Sequence, residues 1–207
     1  MIQVRQIVTG TIEENCYIVY KDNKALIIDP GDETSKIKNE IEELEVQPIA
    51  ILLTHAHFDH IGSLEDIRVD YDIPVYVSPE EKDWLGDPIA NLSFNNPFTV
   101  TANPAEQLFA PVQKLTIDEF TFEVVPTPGH SPGSVSFIFH ENHFVISGDA
   151  LFRGSVGRTD LPGSQPEVLL DGIRKYLFSL PDDYTVYPGH GRDTTIGNEK
   201  HTNPYFN

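Results

Sequence analysis

Short apolar runs separated by turn residues mark the beginning of the chain. Residues 2–8, 14–20 and 24–29 are rich in β-forming side chains, which predicts an antiparallel meander. Apolar side chains then recur at helical spacing within residues 35–45, and a continuous apolar run at 49–54 predicts a buried strand directly afterwards. The order of these elements predicts an α/β fold.

A helix and a strand are predicted next, followed by a less regular segment. Apolar positions at roughly helical spacing over 61–67 predict the helix, and residues 74–77 have the pattern of a buried strand. Ser78 followed by Glu81 is typical of a capping box, which predicts a short helix. Residues 86–111 carry several prolines, so they form either a functional loop over a site or a variable surface excursion.

The second half of the chain returns to the β-rich pattern. Alternating apolar positions at 120–124 and 135–139 each predict a strand with one buried face. Residues 140–143 are predicted to connect the second of these to a further strand as a hairpin. Ser164, followed three residues later by a glutamate, predicts the capped start of a final helix, and the last strand is expected near 184–187.

Composition and charge narrow the functional classes. With 207 residues, of which 39% are hydrophobic, the chain can bury a substantial core, and we expect a single domain over residues 1–207. The 32 acidic residues outnumber the 14 basic ones, and the net charge of −18 disfavours a nucleic-acid partner.

The sequence shows neither a leader pattern nor a membrane-spanning apolar stretch, so we expect a cytoplasmic protein without a membrane partner. Cys16 is expected to be a small strand residue rather than a reactive thiol.

The most informative stretch directly follows the apolar run at 49–54. It supplies His55, His57, Asp59 and His60 within one turn of chain, a density of polar groups that packing does not require. Imidazole nitrogens and carboxylate oxygens suit zinc, iron or manganese. Side chains two apart in an extended segment point the same way, so His55 and His57 can hold one ion. If a helix starts after this pair, Asp59 and His60 point elsewhere and can hold a second ion.

Three further strand ends carry a ligand-type residue beside glycine. They are His130, Asp149 and His190. Each alone is typical of a turn or capping residue, but their joint occurrence favours a metal site. We predict one metal held by His55, His57 and His130, a second held by Asp59, His60 and His190, and Asp149 as a bridge between them. Two divalent ions, with zinc expected and iron or manganese as alternatives, would lower the pKa of a shared water, which predicts hydrolysis.

Asp29 ends the predicted strand at 24–29 and allows two interpretations. Because Pro30 and Gly31 follow it, Asp29 is either a turn former that bonds its own backbone or a residue that orients a metal ligand. We place it outside the set of direct ligands.

The ligand pattern, His-x-His-x-Asp-His followed by a Gly-His, a Gly-Asp and a Gly-His, resembles that of the metallo-β-lactamase superfamily over essentially the whole chain. The resemblance implies a four-layer αββα sandwich of two mixed sheets flanked by helices, with the metals at one edge. Segments 29–31, 129–134 and 151–160 are most similar to the glyoxalase II group, the hydroxyacylglutathione hydrolases and their short bacterial relatives. We expect the protein to lack the added C-terminal helical domain of full-length glyoxalase II.

In that group a metal-bound hydroxide attacks the thioester carbonyl of S-D-lactoylglutathione. The resemblance therefore implies a thioester hydrolase with a small-molecule, glutathione-derived substrate, in which Asp59 orients the hydroxide while ligating the second metal. Arg158 stands where the group places a basic residue for a glutathione carboxylate, and it is our candidate for substrate binding. The alternative is a structural arginine that pairs with Asp160.

Other activities of the same superfamily share these ligands. The nearest alternative is a persulfide dioxygenase with a single iron, held by His55 or His57 together with His130 and Asp149. A lactonase or β-lactamase fits the segment around Arg158 less well. A non-catalytic binding protein of this fold would predict a broken ligand set, whereas all seven ligand residues are present.

Overall fold

The computed structural model describes residues 1–110 and 112–206 in two compact units, Met1–Phe109 and Ala110–Asn207. Residue 111, the last position of the predicted loop 86–111, and residue 207 lie outside the described residues. Each unit has its own six-stranded mixed sheet. The single domain expected over residues 1–207 stays a prediction.

The sheet of unit 1 has a strand order that follows the chain. Its strands are β1 (Gln3–Thr9), β2 (Glu14–Lys21), β3 (Lys24–Ile28), β4 (Gln47–Leu52), β5 (Val75–Val77) and β6 (Gln107–Leu108). The first three pair antiparallel, which confirms the predicted meander. The pairs from β3 to β6 are parallel, because a helix or a long connection returns the chain before each new strand.

Two helices supply the apolar groups that cover this sheet. Helix α1 (Thr34–Glu43) buries Ile37 and Ile41, which lie one helical turn apart. Helix α2 (Leu64–Tyr71) buries Leu64 and Ile67 in the same way. All four side chains belong to the apolar core of unit 1, together with residues of β2 to β5.

The carboxyl ends of the parallel strands lie at one edge of the unit 1 sheet. Ile28 of β3 pairs with Leu52 of β4, and the amide of Asp29 donates to the carbonyl of Leu52 over 3.1 Å. The residues that follow β3, β4 and β5 are therefore brought together at that edge, where polar backbone and side chains converge.

The sheet of unit 2 is mixed and interleaves early and late strands. Its order is β14 (Thr194–Thr195), β13 (Thr185–Pro188), β10 (Phe144–Gly148), β9 (Val135–Phe139), β8 (Phe120–Pro126) and β7 (Gln113–Ile117). Strands β8 and β10 run in the same direction because each is antiparallel to β9, and β13 is parallel to β10. The carboxyl ends of β8, β10 and β13 consequently share one edge. A separate ribbon pairs β11 (Leu151–Phe152) with β12 (Ser155–Val156).

The helices of unit 2 differ from the sequence-based expectation. Helix α3 (Pro166–Gly172) continues as a π-helical segment, Ile173–Leu177, and the two bury Leu169, Ile173 and Leu177 in the core of unit 2. It is not the final helix, because α4 (Ile196–Thr202) follows β14. The expectation that the chain's last strand lies near 184–187 is wrong for the same reason.

Both predicted capping boxes are wrong. After Ser78 the chain forms two short 3₁₀ turns, Pro79–Glu81 and Trp84–Gly86, without a side-chain cap. The Ser78 hydroxyl donates to Glu80 instead, over 2.6 Å. Helix α3 likewise has no side-chain cap, and the Ser164 hydroxyl donates to the carbonyl of His130 over 3.0 Å. Neither serine side chain therefore caps a backbone amide at a helix start. Among the described residues, none of the helices is long and apolar enough to cross a membrane.

Candidate metal centre

The first cluster of ligand-type side chains lies in unit 1, directly after β4. His57 has extended backbone dihedrals and is followed by a 3₁₀ turn, Phe58–His60, where the sequence analysis considered the start of a helix. Helix α2 begins only at Leu64. The ring centroids of His55 and His57 lie 4.7 Å apart, and those of His55 and His60 lie 4.1 Å apart. The three imidazoles are all buried. Unit 1 thus brings these three histidines together.

Asp29 orients one of these rings. Its Oδ2 lies 3.0 Å from Nδ1 of His60, and both side chains are buried. An imidazole that donates its Nδ1–H to a carboxylate is fixed in one tautomer and presents Nε2 as the ligand atom. The backbone of Asp29 has a φ of 49°, the left-handed conformation that non-glycine residues rarely adopt.

Thr54 extends this support to His55. Both Asp29 oxygens accept from Thr54, Oδ1 from the amide over 2.7 Å and Oδ2 from the hydroxyl over 2.6 Å. Because the hydroxyl hydrogen is donated to Asp29, the Thr54 oxygen can accept from Nδ1 of His55, which is 3.1 Å away. His55 therefore also presents Nε2 for ligation. The role of Asp29 as a turn former alone does not account for these bonds.

Two buried glutamates also support the cluster. Glu14 accepts from the Thr9 hydroxyl over 2.6 Å and places Oε1 3.7 Å from Nδ1 of His60. Burial raises the pKa of Glu14 well above its ordinary value. Glu81 accepts from the amide of Ala56 over 2.6 Å. No local sequence pattern predicts Glu14, and the pattern at Glu81 indicated a helix cap instead.

Asp59 is placed between the cluster and a cavity. Its Oδ2 lies 3.5 Å from Nε2 of His60, and its side chain is 12% exposed. The residue also lines a cavity of about 420 Å³ in unit 1. Asp59 is thus the predicted ligand of unit 1 that a small molecule in this cavity can approach.

The second cluster lies in unit 2, at the shared edge of its strands. Oδ2 of Asp149 lies 3.4 Å from Nε2 of His130 and 3.7 Å from Nε2 of His190. Asp149 follows β10 and His190 follows β13, and the amide of Gly189 donates to the carbonyl of Gly148 over 2.8 Å, which keeps the two loops side by side. One carboxylate oxygen of Asp149 therefore faces both His130 and His190.

His130 is held in place from both sides. Its Nδ1 lies 2.9 Å from the carbonyl of Arg158, so the ring donates Nδ1–H there and presents Nε2 toward Asp149. Its own carbonyl accepts from Ser164, and the carbonyl of Gly129 accepts from the amide of Gln165 over 2.7 Å. The backbone of Arg158, rather than its side chain, is what contacts a candidate ligand.

The side chain of Arg158 pairs with Asp160. Nε donates to Oδ1 over 2.8 Å and Nη2 donates to Oδ2 over 2.9 Å. The hydrogen bond from Arg158 lowers the pKa of Asp160 to about 2. The pairing that the sequence analysis gave as the alternative is therefore present, while 64% of the arginine side chain stays exposed.

The spacing of the donor atoms within each unit fits a metal ion. Two ligands at about 2.1 Å from one ion in tetrahedral geometry lie about 3.4 Å apart. The separations from His60 to Asp59, 3.5 Å, from His130 to Asp149, 3.4 Å, and from His190 to Asp149, 3.7 Å, are close to that value. Nitrogen and oxygen donors of this kind suit zinc, iron and manganese.

Comparison with known proteins assigns the family. The model of the metallo-β-lactamase superfamily matches residues 9–190. The chain belongs to this superfamily. A probable metallo-hydrolase from Streptococcus pyogenes is 46% identical over 100% of this chain and 91% of the relative. Hydroxyacylglutathione hydrolase GloC from Haemophilus influenzae is 37% identical over 94% of this chain and 93% of the relative.

Solved structures of the superfamily have the same fold. The B3 metallo-β-lactamase BLEG-1 superposes with a TM-score of 0.95 at 43% identity, covering 99% of both chains. TTHA1623, in a di-iron-bound form, gives a TM-score of 0.87 at 40% identity over 97% of this chain and 99% of that one. The predicted fold class, a metallo-β-lactamase fold with two mixed sheets and flanking helices, is confirmed.

Proposed function

We propose that this metallo-hydrolase superfamily member is a thioester hydrolase of glyoxalase II type, which cleaves S-D-lactoylglutathione or a related thioester. The likeness to a probable metallo-hydrolase supports metal-dependent hydrolysis, and the 37% identity to GloC supports a thioester as the bond that is cleaved. The observation that carries the proposal is the position of Asp59, which lines a cavity while its carboxylate lies 3.5 Å from a ligand-type nitrogen of His60.

We further propose that the clusters of the two units together hold two divalent ions, with zinc expected and iron or manganese as alternatives. His55, His57 and His130 would hold one ion, and Asp59, His60 and His190 the other. Asp149 would contribute to both, which its near-equal separations from His130 and His190 support. Bound ions of this kind polarise a carbonyl oxygen and lower the pKa of water.

The protein's own residues would perform the remaining steps. Asp59 accepts a hydrogen bond from the attacking water and orients it toward the acyl carbon. A bond forms between the water oxygen and that carbon while an O–H bond of the water and the carbon–sulfur bond break. The water's proton goes to the leaving sulfur, so the products are a carboxylic acid and a thiol. Asp29 and Thr54 keep His60 and His55 in their ligating tautomers. The exposed Arg158 side chain would bind a carboxylate of the thiol portion.

Two other activities have specific support. The di-iron form of TTHA1623, at 40% identity, favours iron at this site, which a mononuclear-iron persulfide dioxygenase would use. The structure named as a B3 metallo-β-lactamase, at 43% identity, favours β-lactam hydrolysis. The three activities act on different substrates, so activity assays distinguish them.

The test combines metal analysis with three assays on wild-type protein and an Asp59→Ala variant. We expect about two metal ions per chain and hydrolysis of S-D-lactoylglutathione that falls by at least about a hundredfold in the variant. Asp83→Ala is the matched control, because Asp83 is an aspartate whose side chain is 88% exposed. One iron per chain with oxygen uptake on glutathione persulfide, or turnover of a chromogenic cephalosporin alone, would overturn the thioesterase proposal.

A further inference from the structure

The cavity beside Asp59 has mainly apolar walls. Its volume, about 420 Å³, lies in the range of small-molecule sites. The apolar side chains that line it are Ile12, Phe58, Pro97, Phe98 and Val100. They come from the turn between β1 and β2, from the 3₁₀ turn Phe58–His60 and from the irregular segment after β5. Three separate parts of unit 1 thus present apolar groups next to one candidate catalytic carboxylate.

The charged groups in this wall are acidic. Among the described residues that line the cavity, the ionisable side chains are Asp32 and Asp59, and neither a lysine nor an arginine is among them. A carboxylate placed away from the proposed ions would be repelled by Asp32, and it would find neither a lysine nor an arginine in the lining to pair with. An uncharged group would not meet that repulsion, and an apolar one would bury surface against the walls.

The segment that carries Phe98 is fixed at its base. The amide of Val100 donates to the Ser93 hydroxyl oxygen over 3.0 Å, and the side-chain amide of Asn91 donates to the Val100 carbonyl over 2.9 Å. Ser93 and Asn91 are fully buried. The carbonyl of Asn91 also accepts from the amide of Phe58, over 2.9 Å, directly before Asp59. The loop is therefore anchored to the same turn that holds the carboxylate.

The anchored loop exposes apolar surface toward solvent. Phe98 is 85% exposed, and Ile12 on the opposite turn is 49% exposed. Exposed apolar side chains that share one concave surface are typical of a ligand-binding site. Ordering a loop costs conformational free energy, and contact with an apolar ligand can offset that cost.

We infer that this cavity binds an uncharged, apolar group of the substrate, so that the substrate class is thioesters with an aliphatic or aromatic group on one side of the scissile bond. The inference rests on the proposed thioesterase function and narrows it. Ile12 and Phe98 are the residues that set this specificity. A carboxylate-bearing part of the substrate would have to lie outside this cavity.

The test measures kcat/KM for two series of thioesters with the metal-loaded protein. One series varies the acyl group on N-acetylcysteamine between hexanoyl and succinyl, and the other varies the thiol of an acetyl thioester between benzyl mercaptan and 3-mercaptopropionate. In at least one of the two series we expect kcat/KM for the apolar member to exceed that for the anionic member by at least about tenfold. Phe98→Ala should reduce that preference at least about threefold. Phe94→Ala is the matched control, because Phe94 is 64% exposed on the same loop and is not among the lining residues, and its preference should equal that of wild type.

Binding of unreactive amides separates this inference from the thioesterase proposal. Calorimetry with N-ethylhexanamide and N-ethylsuccinamate requires no turnover, and we expect tighter binding of the first, weakened in Phe98→Ala. Thioester hydrolysis with equal or better rates for the anionic members in both series would overturn the inference and leave the proposed function standing. Absent hydrolysis with Phe98-dependent binding of the hexanamide would overturn the proposed function and uphold the apolar cavity. Absence of both would overturn both.

Discussion

The carboxylate of Glu81 accepts a hydrogen bond of 2.6 Å from the backbone amide of Ala56, the residue between His55 and His57. Glu81 is fully buried. It comes from the 3₁₀ turn after β5, whereas the two histidines follow β4, the neighbouring parallel strand. A buried acceptor at the link between two candidate ligands fixes the spacing of their side chains.

Replacing Glu81 by alanine should loosen this part of the metal centre. The change leaves the amide of Ala56 buried without its acceptor, and we expect it to lower the free energy of unfolding by about 1–3 kcal/mol. We also expect a lower metal content, measured after dialysis against a weak chelator. Glu81→Gln keeps an acceptor oxygen and should retain more metal than Glu81→Ala. Glu80→Ala is the control, since Glu80 is an exposed neighbour, and it should keep the metal content of wild type. If Glu81→Ala and Glu81→Gln also keep it, Glu81 does not position the histidines.

Cys16 should be inert in the folded protein. It is fully buried in β2, and burial raises the pKa of its thiol well above the ordinary value, so very little thiolate forms near neutral pH. In native buffer a chromogenic disulfide reagent should label less than about a tenth of the chains, because only chains that transiently unfold expose the thiol. In guanidinium chloride it should label one thiol per chain. Rapid labelling of one thiol in native buffer would contradict the placement of Cys16 in the core.

Most of the fold could be predicted because its elements bury one regular face. The apolar periods of α1 and α2 and the β-rich runs of the meander correspond to side chains in the core of unit 1. Strand β7 was not predicted, because it is an edge strand of its sheet and its residues are only partly buried or exposed. Helix α4 was missed because Ile196 is the apolar residue that it buries, so the sequence of this segment has no helical repeat of apolar positions.

The ligand-type residues could be predicted because each one follows a strand at a recognisable turn. The residues that orient them could not, because their partners are distant in sequence. Asp29 and Thr54 are 25 positions apart, as are Ala56 and Glu81. Only the parallel pairing of β3, β4 and β5 brings these groups together, and a local pattern such as Ser-x-x-Glu then predicts the wrong partner.

Arg158 should affect substrate binding more than turnover if it contacts a glutathione carboxylate. We expect Arg158→Ala to raise the KM for S-D-lactoylglutathione by about tenfold with little change in kcat. Because the pKa of Asp160 is lowered from 3.8 to about 2, its pair with Arg158 persists above pH 3.8 and is lost only as the pH falls towards 2. The effect should therefore not vary over a neutral pH range.

The controls for this prediction are Asp160→Ala and Arg174→Ala. Asp160→Ala removes the partner but keeps the guanidinium, so the KM should stay equal or fall. Arg174 is another exposed arginine that pairs with an aspartate, Asp171, over 3.3 Å, and its removal should not change the KM. If Arg158→Ala leaves the KM unchanged, the side chain serves only its pair with Asp160.

Gly157 should be required for the geometry of unit 2's ligands. A Cβ at this position would collide with the carbonyl oxygen of Asp149 and lie 3.1 Å from Cβ of His130. We expect Gly157→Ala to cost about 1–3 kcal/mol of unfolding free energy and to lower the metal content, because the backbone that carries Asp149 must shift. Thermal or urea unfolding and metal analysis measure the two effects. Gly86→Ala is the control. A Cβ at Gly86 would lie 3.9 Å from the nearest atom, the Ala102 carbonyl oxygen, so both quantities should match wild type. Equal metal content and stability in both variants would show that the close approach of Gly157 to Asp149 does not hold the ligand in place.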